Sequence, residues 1–304
     1  MNSRPRTGII GLGSMGYGMA QSLLRAGHDV LAFDIAAEPV ARIVADGARS
    51  GDIEHLAAEM DCAVIAVLNA AQTATVLLGQ PDRPGLVGLM RPGATIISCA
   101  TIAPEDARRL HARAAKAGLH YLDAPISGGA GKAAAGKLSI MAAGKVQAFG
   151  GARPALDAMA EVVFDMGREP GRGSAMKAVN QMLVGIHISA MAEAITFALS
   201  QGIDPARCHE VITRCAGTSW AFENRAPHVV GGDYHPASAV DIWPKDLGIV
   251  LDAARAARFP APLTAAALQQ FLAASGSGLG GEDDAAVAKV YARNAGLQLP
   301  GDGQ

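Results

Sequence analysis

The chain has 304 residues, 50% hydrophobic and 4% aromatic, with 26 basic and 28 acidic side chains and a formal net charge of -2. That is enough apolar chain for two domains with cores of their own, and charges of both signs without a basic run speak against nucleic acid or an anionic membrane as partner. No signal-like segment follows Met1, apolar stretches are broken by Gly, Asn or charge short of bilayer length, and Cys62, Cys99, Cys208 and Cys215 show no CxxC or zinc spacing, so a cytoplasmic protein with reduced thiols and no metal is expected.

The first element is an apolar strand, Thr7 to Ile10, which breaks into Gly11-Leu-Gly-Ser-Met-Gly16. A helix is predicted over Met15 to Ala26, ended by Gly27, and a second strand over Val30 to Phe33, closed by Asp34. Strand, glycine turn, helix, strand and acid in that order point to a dinucleotide. Gly11 permits the tight turn, Gly13 lets backbone approach a pyrophosphate, and Gly16 lets the helix lie on the strand. Leu12, Ser14 and Met15 complete the turn at the helix amino end, which favours phosphate charge. Asp34 stands 18 residues after Gly16. A carboxylate there accepts both adenosine ribose hydroxyls and repels a 2′-phosphate, which favours NAD over NADP as cofactor.

Further apolar runs at Cys62 to Leu68, Ala94 to Ser98, Leu119 to Leu122, Leu138 to Ala142 and Val162 to Phe164 alternate with helix-like segments. That alternation predicts an α/β fold, a doubly wound Rossmann domain with a mainly parallel sheet. Gln80 to Gly85 reads as a surface loop, and Pro104-Glu-Asp opens one helix. After Met166 the pattern changes. No strand is predicted from Gly173 onward; a long helix covers Ser174 to Ser200, followed by helices near Pro205 to Arg214, Lys245 to Ala257, Pro262 to Ala274 and Asp283 to Asn294. A domain boundary is expected near residue 168, giving a nucleotide-binding domain over 1–168 and an all-α domain over 169–304.

In open parallel sheets ligands gather where strands end, so Leu68, Asn69 and Thr101 are candidates to line the ribose and nicotinamide. Asp123-Ala-Pro-Ile-Ser-Gly-Gly129 places the Ser127 hydroxyl and the backbone of Gly128 and Gly129 where a carboxylate can be cradled. Lys177 and Asn180 share a face of the long helix with Val184, His187 and Ile188. A partly desolvated lysine there can act as general base toward an alcohol, with Asn180 holding hydroxyl or carboxylate. Lys245, just after Trp243-Pro244, is predicted to start a helix and close over the nicotinamide, with Asp246 as a cap. His228 and His235 flank Asp233 without metal-ligand spacing and read as loop residues.

GLGSMG at Gly11, DAPISGG at Asp123, GRGSAMKAVNQ at Gly171 and KDLG at Lys245 together resemble the β-hydroxyacid dehydrogenases, the 3-hydroxyisobutyrate dehydrogenase-like family, in order and over nearly the whole chain. The resemblance implies that Lys177 is the catalytic lysine and Asn180 its partner, that Ser127 to Gly129 bind the carboxylate of a small hydroxy acid, and that Thr101 and Lys245 touch the cofactor. It also implies a Rossmann domain followed by a helical one, in homodimers or homotetramers interlocked through the long helix. Gly217 to Arg225, Ser238 to Ile242, Arg258-Phe-Pro and Glu282-Asp-Asp284 are most similar to the L-threonate dehydrogenase branch, which implies oxidation of a four-carbon sugar acid at C2. Trp243-Pro244 departs from that branch, where phenylalanine and valine are usual. The competing readings are a 3-hydroxyisobutyrate dehydrogenase, a tartronate or succinic semialdehyde reductase, an imine reductase, and an NAD-binding redox sensor without turnover. Asp34 speaks against the NADPH-preferring reductases, Lys177 against the imine reductases, and Lys177 with the carboxylate loop against the sensor.

Overall fold

The computed structural model describes residues 4–301. In chain order the first part contains β1 (Arg6–Ile10), α1 (Ser14–Arg25), β2 (Asp29–Phe33), α2 (Ala37–Ala45), α3 (Ile53–Leu56), β3 (Cys62–Ile65), α4 (Ala70–Leu78), β4 (Gly79–Gln80), β5 (Arg83–Pro84) and α5 (Leu86–Leu89). It continues with β6 (Thr95–Ser98), α6 (Pro104–Lys116), β7 (His120–Asp123), β8 (Ile126–Ser127), α7 (Gly129–Ala135), β9 (Leu138–Ala142), α8 (Val146–Met159), β10 (Ala160–Asp165) and α9 (Arg172–Ser200). The remainder is helical: α10 (Pro205–Ile212), α11 (Trp220–Gly231), α12 (Ile242–Ala256), α13 (Pro262–Ala274) and α14 (Val287–Asn294).

Two compact units result, Met1–Lys177 and Ala178–Gln304, and the division falls inside α9. The first unit is the doubly wound α/β fold. Its five parallel strands run in the order β2-β1-β3-β6-β7. Neighbouring side chains point to opposite faces: Ile9, Val64 and Leu122 pack with Leu23 of α1 and Leu156 of α8, while Ile10, Ile65 and Tyr121 pack with Leu77, Leu86 and Leu110 of α4, α5 and α6. Both faces are covered, which is why these strands read as apolar runs rather than alternating ones. Cys62 and Cys99 are buried in this core as small hydrophobes.

The apolar runs do not all join one ladder. β10, β9 and β8 form a separate three-stranded sheet, with β9/β10 parallel and β8/β9 antiparallel, and a single bridge between Asp123 and Ala143 relates it to β7. The expected loop at Gln80 to Gly85 contains a minimal hairpin, Gly79 and Gln80 pairing with Pro84 and Arg83.

In the second unit Ile188, Met191, Ala192 and Ile195 of α9 pack with Phe222, Trp243, Leu247, Phe271 and Val290. Two expectations change here. α9 is long and apolar enough, by length and composition, to cross a bilayer, and 44% of its most apolar stretch is buried within the protein. Gly185 and the scattered polar side chains leave that helix continuous over Arg172–Ser200. α12 begins at Ile242, three residues before the expected start, because a proline in the first turn forfeits no intrahelical hydrogen bond.

Candidate active site

The strand order reverses at β1, with β2 on one side and β3 on the other, and a cleft of about 1020 Å³ opens where those three strands end. Gly11, Gly13, Asp34, Ile35, Leu68 and Gln72 are on its wall. Gly11 has φ +98°, and a Cβ there would run into the carbonyl of Ala66. A Cβ on Gly16 would strike the carbonyl of Gly11, so α1 can start against the turn only with glycine at both positions. Gly13 differs: a Cβ there would meet no protein atom. Packing does not demand glycine at that place, and the bare backbone facing the cleft fits a pyrophosphate.

Asp34 is tied into the same turn. Its Oδ2 accepts the Leu12 amide at 2.5 Å and its Oδ1 the Ala36 amide at 2.8 Å. The carboxylate is thus fixed at the end of β2, beside a fully exposed Ile35. Asn69 has a structural task, its Oδ1 accepting the Gln72 amide at 2.9 Å to cap α4. Gln72 in turn accepts the Leu68 amide at 2.9 Å, so the β3–α4 corner is held by reciprocal side-chain bonds. Thr101 follows β6, half-buried, at the strand-end level expected of it.

The Ser127 loop begins from β8, which pairs Ser127 with Ser139 of β9. Gly128 and Gly129 take φ +138° and +75°, the left-handed region that glycine enters without strain, and α7 starts at once. α7 is locked to α1. A Cβ on Gly18 would collide with the backbone of Ala133 and Ala134, and Ser22 Oγ donates to the Ala133 carbonyl at 2.8 Å. The helix after the glycine turn and the helix after the Ser127 loop are therefore packed backbone to backbone.

Asp123, four residues before Ser127, is 1% exposed and holds the start of α9. Its Oδ1 accepts the Ser174 hydroxyl at 2.6 Å and its Oδ2 the Ser174 amide at 2.9 Å. Burial pushes this carboxyl up, and the bonds from Ser174, Gly171 and Gly173 pull against that rise. Gly173 has no room for a Cβ between the carbonyls of Asp123 and Met141. Lys177, three residues beyond Ser174 on the same helix, is 7% exposed. The strand end that leads to the Ser127 loop thus also fixes the turn that carries Lys177.

In the second unit Asn180 is half-buried and donates from Nδ2 to Gln181 Oε1 at 2.9 Å. Gln181 Nε2 donates to Asp246 Oδ2 at 2.5 Å, and Lys245 Nζ lies 2.7 Å from Asp246 Oδ1. Asp246 is therefore no helix cap: it sits in the first turns of α12 with its side chain bonded to α9. Trp243 stacks on Phe271 with ring centroids 5.4 Å apart and donates from Nε1 to Asp284 Oδ2 at 3.0 Å. Asp284 also takes Arg225 Nε at 2.7 Å, and burial raises its carboxyl to about 6 although the guanidinium pulls it down. The sequence assigns no role to Asp123, Ser174 or Gln181 and only a cap to Asp246, although each stands inside a quoted motif.

Residues 6–167 match the family described as the NAD binding domain of 6-phosphogluconate dehydrogenase. Residues 171–291 match the one described as NAD-binding of NADP-dependent 3-hydroxyisobutyrate dehydrogenase. The chain is 48% identical to an L-threonate dehydrogenase of Cupriavidus necator over 97% of each chain, and 44% identical to one of Escherichia coli over 97% of this chain and 96% of that one. A crystal structure described as 3-hydroxyisobutyrate dehydrogenase from Salmonella typhimurium superimposes with a TM-score of 0.88 at 45% identity, covering 94% of this chain and 99% of that one. The chain belongs to the β-hydroxyacid dehydrogenase family, the 3-hydroxyisobutyrate dehydrogenase-like oxidoreductases, and is an NAD-dependent hydroxyacid dehydrogenase.

Proposed function

We propose that this enzyme oxidises L-threonate at its C2 hydroxyl to 2-oxo-tetronate (2-dehydro-L-erythronate) with NAD. The observation that carries this reading is the 41–48% identity to five L-threonate dehydrogenases, each over at least 96% of this chain. Ser127 and the amides of Gly128 and Gly129 hold the substrate carboxylate, and Lys177 takes the hydroxyl proton as general base. Asn180 contacts the substrate. Gly11 to Gly16 hold the pyrophosphate, Asp34 the adenosine ribose, and Leu68, Asn69, Thr101 and Lys245 the remainder of the cofactor. When bound, NAD supplies the hydride acceptor; the protein contributes position and one base. Residues 1–168 are assigned as the NAD-binding domain, which also supplies the Ser127 loop, and 169–304 as the substrate and assembly domain, which also supplies Lys245.

A panel of L-threonate, D-threonate, D-glycerate, L-serine and 3-hydroxyisobutyrate, each with NAD and with NADP, tests the reading by NADH absorbance. L-threonate with NAD is expected to give the highest kcat/KM. A preference for 3-hydroxyisobutyrate, the substrate by which the Salmonella structure is described, would replace it, and no turnover with any acid would favour a redox sensor. Asp34→Ala is expected to reduce the NAD over NADP preference about tenfold, since charged hydrogen bonds to the ribose are lost. We place the enzyme in the cytoplasm as a homodimer or homotetramer. Val179 and Leu183 and, several turns on, Phe197 at 64% exposure leave an apolar stripe on α9 that suits a second copy of the chain.

A further inference from the structure

Three side chains and a lysine form one run of contacts in the second unit, from Lys245 through Asp246 and Gln181 to Asn180. Its chemistry is directional. Asp246 is 2% exposed, and a carboxylate with a lysine ammonium beside it only accepts hydrogen bonds. Gln181, 8% exposed, must turn its amide NH₂ toward Asp246, which turns Oε1 toward Asn180. Asn180 must then offer its own NH₂ to that oxygen. The rest of the Asn180 amide, Oδ1, is directed away from Gln181, on the helix that carries Lys177 three residues earlier.

We propose that Asp246 sets the polarity of this relay so that Asn180 presents a carbonyl oxygen to the substrate, and that the group read there is a hydroxyl on the carbon next to the one oxidised. The inference rests on the assignment of Asn180 as a substrate contact and deepens it by choosing between hydroxyl and carboxylate. A carboxylate has no proton to give and would set its own charge against Oδ1; a hydroxyl donates to it. The substrate class is thereby narrowed to hydroxy acids bearing a vicinal hydroxyl, and Asp246 is a positioning residue that acts through Gln181.

The test compares kcat/KM for L-threonate with that for 2,4-dihydroxybutyrate, the four-carbon acid lacking only the C3 hydroxyl. The wild-type enzyme is expected to prefer L-threonate at least tenfold, because a site built to bond a hydroxyl rejects the analogue without it. Asn180→Ala is expected to shrink that ratio about tenfold, and Asp246→Asn, whose amide lets the relay turn either way, to shrink it in the same sense by less. An unchanged ratio in Asn180→Ala, or a wild-type enzyme that does as well with 2,4-dihydroxybutyrate, overturns the inference. If L-threonate is not oxidised, the proposed substrate fails, and the inference is then judged on the best acid of the panel. A best acid without a vicinal hydroxyl refutes it.

A second measurement needs no turnover. With NAD present, Gln181→Glu sets an acceptor against Asp246 whereas Gln181→Met removes the bond, so the Glu variant is expected to melt below the Met variant at pH 8. Equal or higher melting of Gln181→Glu shows the polarity to be wrong.

Discussion

The amino end of α9 and the centre of the helical unit each bury a carboxylate, and each neutralises it differently. Asp123 is met by a hydroxyl and by backbone amides at the start of α9. Asp284 is met by a guanidinium and an indole, with Arg225 only 14% exposed. The first arrangement fixes a direction: amides at a helix start converge on one strand end, and Lys177 follows at a set angle. The second fixes a distance, bracing α11 and α12 against the 3₁₀ turn that carries Asp284. The contrast separates a device that directs the turn carrying Lys177 from one that holds a core together.

The largest expected effect lies at the end that aims. Lys177→Ala should lower kcat by about 10²–10⁴ while NAD still binds in a fluorescence titration, since only the proposed general base is lost. Near-normal turnover would remove the lysine from the chemistry. At the bracing end, Asp284→Ala strands Arg225 in the interior and should cost about 3–5 kcal/mol in urea unfolding. Equal stability would mean that water reaches the guanidinium. Asp123→Ala sits between the two: unsatisfied amides at the start of α9 should cost about 1–3 kcal/mol, with a fall in kcat outlasting any loss of folded protein. A stability loss with kcat per folded enzyme intact would deny Asp123 its aiming role.

The smallest effect is in pH. Asp284 ionises at about 6 in the folded protein, above the ordinary aspartate value, so between the two the native state binds more protons than the unfolded chain. Its contribution to stability is complete below about pH 4, declines as pH rises to about 6, and is flat beyond that. Urea midpoints of wild type against Asp284→Asn across pH 4 to 7 should converge or cross in that window. Parallel curves would contradict the assignment.

The sequence made the nucleotide unit legible because its strands are buried on both faces and its turns are punctuated by glycines that geometry requires, as at Gly11 and Gly16. The family followed from four separated motifs, of which the DAPISGG and GRGSAMK segments prove to be physically joined through Asp123 and Ser174. Other features had no local signal. β8 is two residues long, too short for any alternation to show. α11 was not expected because Pro227 and Gly231 lie within it; Ser219 caps its start and the Arg225–Asp284 bond holds its middle. The Gln181–Asp246 bond joins positions 65 residues apart, and Asp246 beside Pro244 gave the local impression of a cap. Tertiary contacts, which one-dimensional patterns do not encode, decide all of these.

The seam between α1 and α7 carries a lesson for redesign. Because Gly18 and Ser22 clamp the two helices, any remodelling of the glycine turn that shifts α1 would drag α7 and the Ser127 loop with it, trading turnover for cofactor choice. Engineering toward the phosphorylated dinucleotide starts instead at the end of β2, at Ile35 and Ala36, because the Asp34 carboxylate is itself bonded to the Leu12 amide in the glycine turn.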